Sequence, residues 1–299
     1  CTDDLDNVAR SKLFKKELSF LAEMALELSK IRENLARTEF EKTNRLLHNL
    51  IKLNALEIQE LFALVPQDQI SSASFRNQIE IVEHIIAGNP RETAVTILRL
   101  MKNAASVKSE FSAYKKMHGE LDQFRPLVHS LHKVVLNAMS LFYQTLLERN
   151  LRISLGDSDK HLLLDYDSVQ VALYHVLDNA CKYAEQDSEI KVDFYELDDS
   201  FDLVFEMESL YISDNELSRI FQPGFSGSQP TIVGRAGNGV GMGLAKELLI
   251  LNNADFRVQN GQARLPRATL ALPNLRYATN RFSIAFPRSL ISEPHSRRR

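Results

Sequence analysis

The chain has 299 residues, of which 44% are hydrophobic and 25% charged, a composition that is typical of a globular protein and sufficient for two domains. Its formal net charge is −3 and its pI is near 6.3, which argues against a dedicated nucleic-acid binder, because that function needs a clustered basic face. No stretch approaches the ~20 apolar residues of a membrane span, and no signal peptide opens the chain. We expect a cytoplasmic protein, joined to a membrane only through an upstream segment, since the chain begins with Cys1 rather than Met.

Residues 1–66 are predicted to be helical, because neither glycine nor proline occurs before Pro66. The first half of this segment carries one narrow apolar stripe, with alternating steps of three and four residues that are typical of a coiled coil. A stripe of this width needs a partner helix, so we expect a homodimer. The stripe consists of Leu21, Met24, Leu28, Ile31 and Leu35.

From Leu46 the apolar face widens, as in a helix that is buried in a bundle, and His48 lies on the opposite, polar face. Residues 75–87 and 92–117 are also predicted to be helical, with a break at Gly88, Asn89 and Pro90. These segments predict a helical hairpin, and two hairpins from two subunits would form a four-helix bundle.

The remainder of the chain alternates between the two kinds of secondary structure. We predict a helix at 127–150, a helix at 168–184, a short helix at 215–221, and strands at 151–155, 162–164, 190–197, 201–207, 256–258, 268–272 and 282–286. The predicted fold class is therefore α+β. We divide the chain into a coiled-coil and helical domain at 1–119, an α+β domain at 120–288 and a flexible tail at 289–299.

Glycines alternate with other residues between Gly237 and Gly243, directly before an apolar helix. Such a turn exposes several backbone N–H groups, and the helix N-terminus adds a partial positive charge, so the segment predicts a phosphate site. It is not a dinucleotide fingerprint, because Met242 interrupts that pattern. It is not a P-loop either, because Lys246 lies too far inside the helix.

A second motif occupies residues 175–183, within the predicted helix 168–184. The amide oxygen of Asn179 is a hard ligand that suits Mg²⁺. Lys182 offers a positive charge to phosphate oxygens, and Tyr183 offers a ring to an adenine. His175 lies one turn before Asn179, on the same helix face.

Three motifs together resemble those of sensor histidine kinases. Residues 179–183 are similar to their N box, residues 220–225 to their F box, and residues 237–246 to their second glycine box. The order and the spacing of the motifs agree across residues 120–288. The resemblance implies the Bergerat ATPase fold, which gyrase and the heat-shock chaperones share.

The resemblance also implies roles for particular residues. The helical hairpin would be the dimerisation and phosphotransfer domain, with His48 as the phosphoryl acceptor and a response-regulator aspartate as the next acceptor. ATP and Mg²⁺ would bind between the Asn179 helix and the glycine turn, with Asn179 as the metal ligand. The residues implied in ATP binding are His175, Asn179, Lys182, Tyr183, Gly237, Gly239, Gly241, Met242 and Gly243.

The sequence departs from the family pattern in its first glycine box, where an Asp normally accepts a hydrogen bond from the adenine amino group. Met207, Ser209 and Tyr211 stand at the Asp and Gly positions of this box. The adenine hydrogen bond is therefore lost or supplied by another residue. Glu206, Glu208 and Asp214 are the candidates that the sequence offers.

Two further departures concern residues next to the motifs. Asn49 follows His48 where the family often has Glu or Asp, and an Asn can orient the ring but cannot accept its proton. His175 replaces an Asn that is common in histidine kinases and a Glu that is common in gyrase-type ATPases. We interpret His175 as a packed or capping residue rather than a base.

Two alternative functions stay open. The first is a pseudokinase-like phosphotransfer or scaffold protein that binds nucleotide weakly or not at all, which Met207 favours. The second is an ATP-hydrolysing clamp of the gyrase or chaperone kind. The coiled-coil helix, the polar face around His48 and the missing Glu before Asn179 argue against the clamp.

Overall fold

A computed structural model describes residues 2–71, 74–117, 124–237, 239–267, 272 and 274–292. The chain divides into two compact units, Cys1–Lys52 and Leu53–Arg299. The first unit consists of the helix α1, Thr2–Leu64, which continues into the second unit. This helix confirms the helical prediction for the start of the chain.

The coiled-coil stripe can be followed at three of its five positions. Met24, Leu28 and Ile31 are exposed on the single chain. The side chains of Leu21 and Leu35 lie outside the described residues. The apolar stripe of α1 is therefore exposed at the three described positions.

Three helices follow α1 in the second unit: α2 at Gln67–Ser71, α3 at Phe75–Gly88 and α4 at Pro90–Met117. Pro90 opens α4, where its missing N–H costs nothing, and the N–H of Asn89 closes α3 on the Ile85 carbonyl at 3.0 Å. Arg99 of α4 pairs with Glu60 at 3.1 Å, so α4 returns beside the end of α1 as the predicted hairpin requires. In the described part of the chain, no helix is both long enough and apolar enough to cross a membrane.

The single helix predicted at 127–150 is wrong. The structure has a strand, β1, at Leu127–Ser130 and two short helices, α5 at Leu131–Ser140 and α6 at Tyr143–Glu148. β1 pairs with β3, His161–Leu164, so a strand distant in sequence overrides the helical pattern of these residues. Ser130 then caps α5, because its hydroxyl accepts a hydrogen bond from the Lys133 N–H.

β2 to β7 coincide with predicted strands, although β7 begins five residues earlier than predicted, and β8 was not predicted. β2, β4, β5, β7 and β6 form a five-stranded sheet in that order, in which only the β2–β4 pair is parallel. β1, β3 and β8 form a second, three-stranded sheet. The bounds are Arg152–Leu155 for β2, Glu189–Glu196 for β4, Ser200–Leu210 for β5, Asp255–Gln259 for β6, Tyr277–Pro287 for β7 and Ile291–Ser292 for β8.

The chain end differs from the tail expected at 289–299. Arg288–Leu290 form a 3₁₀ turn, and Ile291–Ser292 pair with β3. Residues 293–299 lie outside the described residues, as do residues 268–271 of the strand predicted at 268–272.

Two long helices cover one face of the five-stranded sheet, α7 at Tyr166–Tyr183 and α10 at Gly241–Leu251. Their buried apolar side chains share one core with those of the sheet. Asn252, which follows α10, donates to Ser168 in the first turn of α7 and accepts from the Asp165 N–H, both at 2.8 Å. The end of α10 thus lies at the start of α7, so the helices run antiparallel, and the start of α10 lies beside the middle of α7, where Gly241 approaches His175.

Two short helices complete the fold: α8 at Asp214–Leu217 and α9 at Ser228–Ile232. They connect the end of β5 to α10. The predicted α+β class is confirmed, with a helical N-terminal region and an α/β layer behind it.

Candidate functional site

The glycine segment, residues 237–243, lies against the second half of α7. A Cβ added to Gly237 would stand 3.2 Å from Lys182 Nζ and 3.6 Å from the Tyr183 hydroxyl. The Tyr183 hydroxyl donates to the Arg235 carbonyl, and Arg235 donates to the Lys182 carbonyl, both at 3.3 Å. The two motifs identified in the sequence therefore meet in space, although Asn238 lies outside the described residues.

Gly241 approaches the ring of His175. A Cβ at Gly241 would stand 2.8 Å from His175 Nδ1, so a larger residue would displace the ring. On its other side, His175 Nε2 lies 2.6 Å from the Ser109 hydroxyl of α4. Burial lowers the pKa of His175 to about 4, so the ring is neutral at pH 7. His175 is thus a packed contact between α4, α7 and the glycine segment, as the sequence interpretation expects.

Gly239 joins the glycine segment to the phenylalanine segment, residues 220–225. Its φ is +66°, and its carbonyl accepts a hydrogen bond from the Gly224 N–H at 2.9 Å. A Cβ at Gly239 would lie 2.4 Å from the Phe225 carbonyl oxygen and 2.5 Å from the Gly224 carbonyl carbon. A Cβ at Gly243 would likewise lie 2.6 Å from the Phe221 carbonyl oxygen. These glycines allow the close backbone approach that holds the two segments together.

α10 begins at Gly241, with Val240 at the N-cap. Val240 makes no side-chain capping hydrogen bond. No side-chain cap from Val240 therefore occupies the backbone N–H groups of the first turn. The helix dipole also favours an anion at this position. Met242 is buried in the core beside them. Amides at a helix N-terminus and an ammonium group such as that of Lys182, which lies beside Gly237, are both donors that suit a phosphate group.

Asn179 is half-buried on α7, one turn after His175 and one turn before Tyr183. Its amide oxygen is the hard donor in this set that suits Mg²⁺. The described residues contain no group of three or more His, Cys, Asp or Glu side chains arranged to hold a metal. A magnesium ion at Asn179 would thus need oxygen ligands from the nucleotide as well.

Glu216 organises the turn between α8 and α9, and the sequence interpretation missed it. Its carboxylate accepts from the Ser213 N–H at 2.9 Å, closing a capping box, and from the Ser228 N–H at 2.7 Å. Burial raises the pKa of Glu216, but these hydrogen bonds outweigh it and lower the pKa overall. The pattern Ser-x-x-Glu at 213–216 is a sequence signal for this contact.

The phenylalanine segment is anchored through its rings. Phe221 packs on Phe256 of β6 with ring centroids 5.2 Å apart, and Lys246 Nζ lies 4.4 Å from the Phe221 centroid. The guanidinium of Arg219 lies 4.6 Å from the Phe225 ring centroid. These contacts hold the segment against α10 and the sheet.

The carboxylates expected to replace the adenine-binding Asp do not share the face of Met207. Met207 is buried on the helix-covered face of β5, and strand alternation places Glu206 and Glu208 on the other face. Glu208 also pairs with Arg267 at 2.7 Å. The third candidate, Asp214, is exposed and accepts a hydrogen bond from Asn260 at 2.9 Å.

The remaining candidates belong to the first compact unit. His48 is exposed on α1, and Asn49 beside it is half-buried. An exposed imidazole agrees with the polar face that the sequence predicts for His48.

A comparison with protein families matches residues 164–276 to the family described as "Histidine kinase-, DNA gyrase B-, and HSP90-like ATPase". The match runs from the end of β3 to the start of β7 and so includes all three motifs. These residues form an ATPase domain of that family. The resemblance to the ATPase domain of sensor histidine kinases is therefore confirmed, and ATP is the ligand that the domain implies.

Several solved structures of histidine kinases resemble the chain. The mycobacterial sensor histidine kinase MprB is 19% identical and has a TM-score of 0.42; the alignment covers 55% of this chain and 97% of MprB. AdeS from Acinetobacter baumannii is 15% identical, with a TM-score of 0.44 and coverage of 81% and 96%. ThkA, solved in complex with the response regulator TrrA, is 10% identical, with a TM-score of 0.44 and coverage of 83% and 61%. A comparison with curated proteins finds no significant match.

Proposed function

We propose that the chain is the core of an ATP-dependent protein-histidine kinase that phosphorylates His48 and then passes the phosphoryl group to a response-regulator aspartate. The observation that carries the proposal is the packing of the glycine segment on the last turns of α7. This packing puts Lys182 and Tyr183 beside Gly237, and it puts Gly241, where α10 begins, beside His175, two turns earlier on α7. ATP and Mg²⁺ fit this donor set.

Each residue of the site has a separate task in this proposal. Asn179 offers an amide oxygen to Mg²⁺, and Lys182 offers its charge to phosphate oxygens. The backbone amides of Gly241, Met242 and Gly243 offer hydrogen bonds at the start of α10, while Gly237 and Gly239 let the turn approach closely. Tyr183 supplies apolar surface beside the nucleotide. His175 keeps its neutral ring against Gly241 and thereby fixes the position of the segment.

The acceptor in this proposal is one ring nitrogen of His48. Its lone pair forms the new P–N bond while the bond from the γ-phosphorus to the bridging oxygen breaks, and ADP leaves. The ring then loses the proton from its other nitrogen. Asn49 can orient the ring through a hydrogen bond but cannot accept this proton, so the proton passes to water. Such transfer depends mainly on positioning and charge stabilisation.

The homodimer belongs to the same proposal. Met24, Leu28 and Ile31 present large apolar side chains to solvent on the single chain, although their spacing is that of a coiled-coil seam. A second copy of α1 would bury them. We retain the division into a dimerisation and phosphotransfer domain at 1–119 and an ATPase domain from residue 120, which extends past 288 to include the strand β8. We place the protein in the cytoplasm.

The test is to incubate the whole chain with γ-labelled ATP and Mg²⁺ and to measure acid-labile, alkali-stable label. Wild type should become labelled, and His48→Gln should retain ATP binding by calorimetry but accept no label. His84→Gln is the matched control, because His84 is also exposed on a helix that precedes the ATPase domain. Equal labelling of wild type and His48→Gln would reject His48 as the acceptor.

One specific observation favours the scaffold alternative. Met207, buried at the position of the adenine-binding Asp, offers only a weak acceptor to the base. Absence of both label and nucleotide binding in wild type would support that alternative. Release of inorganic phosphate without labelled protein would instead support an ATP-hydrolysing clamp.

A further inference from the structure

Asn280 is completely buried on β7, directly opposite Met207 of β5 in the strand register. Its amide nitrogen donates to the Ser209 hydroxyl at 2.8 Å and to the Leu210 carbonyl at 2.9 Å. A carbonyl can only accept, so the Leu210 bond fixes which side of the amide carries the nitrogen. Both amide hydrogens are thus used, and Oδ1 points away from these partners.

The Oδ1 atom of Asn280 has no hydrogen-bond partner in the protein. Among the residues that the structure describes, no other buried side-chain nitrogen or oxygen atom lacks a hydrogen-bond partner. A buried acceptor that stays unpaired is unfavourable, so such atoms are rare in folded proteins and are often paired with a ligand or a water molecule. An acceptor that is held rigidly and left unpaired is suited to a ligand that donates.

The position of Asn280 in the sheet places it at the nucleotide end of the domain. Asn280, Phe282 and Ile284 share one face of β7 by strand alternation, and the last two belong to the core beneath α7 and α10. Its partner Ser209 lies beside Ala184, the residue that ends α7, through an isolated β-bridge. The same end of α7 carries Lys182 and Tyr183, which contact the glycine segment.

Met207 leaves a chemical gap at this point, because a thioether is a poor acceptor for an amino group. Glu206 and Glu208 lie on the other face of β5 and cannot fill it. Asn280 lies on the correct face and is the register partner of Met207. Resting on the proposed function, we propose that Asn280 Oδ1 accepts the hydrogen bond from the exocyclic amino group of adenine.

This arrangement makes Asn280 a specificity-determining residue. Its nitrogen is occupied, so the side chain presents an acceptor and no free donor. A base with a carbonyl in place of the amino group would set two acceptors against each other and leave both unpaired in a buried site. ATP should therefore bind more tightly than ITP or purine riboside triphosphate, which lacks the amino group.

The experiment is calorimetric titration of the full chain with the Mg²⁺ complexes of ATP, purine riboside triphosphate and ITP. We expect wild type to bind ATP roughly 10- to 100-fold more tightly than ITP, with purine riboside triphosphate between them. Asn280→Leu should reduce this preference to within about threefold, mainly through weaker ATP binding, since ITP makes no use of the acceptor. Ser209→Ala is the matched control: it removes one partner of the amide nitrogen but keeps the Leu210 bond, so the preference should remain.

The possible failures are distinguishable. If wild type binds none of the three nucleotides, the proposed function fails, and the role of Asn280 with it. If wild type binds ATP and ITP equally, or Asn280→Leu keeps the full preference, the role of Asn280 is rejected while nucleotide binding stands. If Asn280→Leu does not fold, the wild-type series decides alone, because loss of the amino group must weaken binding if Oδ1 accepts from it.

Discussion

His175 Nε2 lies 2.6 Å from the hydroxyl oxygen of Ser109, which joins the centre of α7 to α4. The other ring nitrogen faces Gly241, at the start of α10. One half-buried imidazole therefore contacts both the helical hairpin and the glycine segment. Burial of the ring between these elements lowers the pKa of His175 to about 4.

The first prediction concerns stability and pH. The pKa of His175 is about 4 in the folded chain and 6.5 in the reference state, so the unfolded chain binds the proton more readily. The contribution of His175 to the free energy of unfolding is fully present above pH 6.5 and is lost as the pH falls toward 4. Below pH 4 this group causes no further change. The free energy of unfolding should decrease by about 3 kcal/mol across this window because of this group.

This contribution can be separated from that of other groups by urea unfolding at a series of pH values. His175→Asn has no titrating ring and should lack this part of the decrease. Ser109→Ala should retain it, because burial is the cause of the lowered pKa and the ring stays buried. A decrease of the same size in wild type and His175→Asn would contradict the prediction.

The second prediction compares two glycines with similar backbone angles. Gly239 has φ +66° and no room for a Cβ, whereas Gly234 has φ +64° and open space around it. Gly234→Ala should cost about 1 kcal/mol of stability, from the left-handed conformation alone. Gly239→Ala must also separate the glycine segment from Phe225, so nucleotide affinity should fall roughly 10- to 100-fold. Calorimetry and urea unfolding of both variants would test this, and equal nucleotide affinities would refute it.

The third prediction concerns Asn179. Asn179→Ala should abolish the use of Mg²⁺-ATP and leave the fold intact, because the change removes a metal ligand and no core side chain. The measurement is labelling with γ-labelled ATP, together with the unfolding midpoint. Asn137→Ala is the control, since Asn137 is an exposed Asn on another helix of the same domain. Labelling of Asn179→Ala at the wild-type level would mean that the site lies elsewhere.

The sequence is informative where the chemistry is local. The glycine segment and residues 175–183 each carry their proposed ligand-binding groups within a few positions of one another. Both motifs, and the contact between them, could therefore be predicted. The helix at the start of the chain could also be predicted, because no glycine or proline interrupts it.

The features that sequence reasoning missed depend on distant partners. β1 is a strand because β3 pairs with it, and no pattern within residues 127–130 reveals that pairing. The contact between Ser109 and His175 joins residues 66 positions apart. The unpaired oxygen of Asn280 becomes visible only when the register of β5 and β7 is known.

The last prediction concerns Glu185, a buried carboxylate directly after α7. It accepts hydrogen bonds from Arg264 at 2.5 Å and from the Arg267 N–H at 2.7 Å. Burial raises the pKa of Glu185, but these bonds outweigh it and the pKa is lowered overall. The resulting stabilisation is present above the pKa of the unfolded carboxyl and is lost as the pH falls through the lowered folded value.

Arg264→Met should therefore destabilise the domain by about 3 kcal/mol at pH 7, because it leaves a buried charge with too few partners. The double variant with Glu185→Gln should cost less than the sum of the two single changes, since it removes the uncompensated charge as well. Arg257→Met is the matched control: Arg257 pairs with Asp255 at 2.6 Å on the exposed surface, where such a pair contributes less than about 1 kcal/mol. Urea unfolding at pH 7 measures all four variants, and equal costs for Arg264→Met and Arg257→Met would show that burial of Glu185 does not matter.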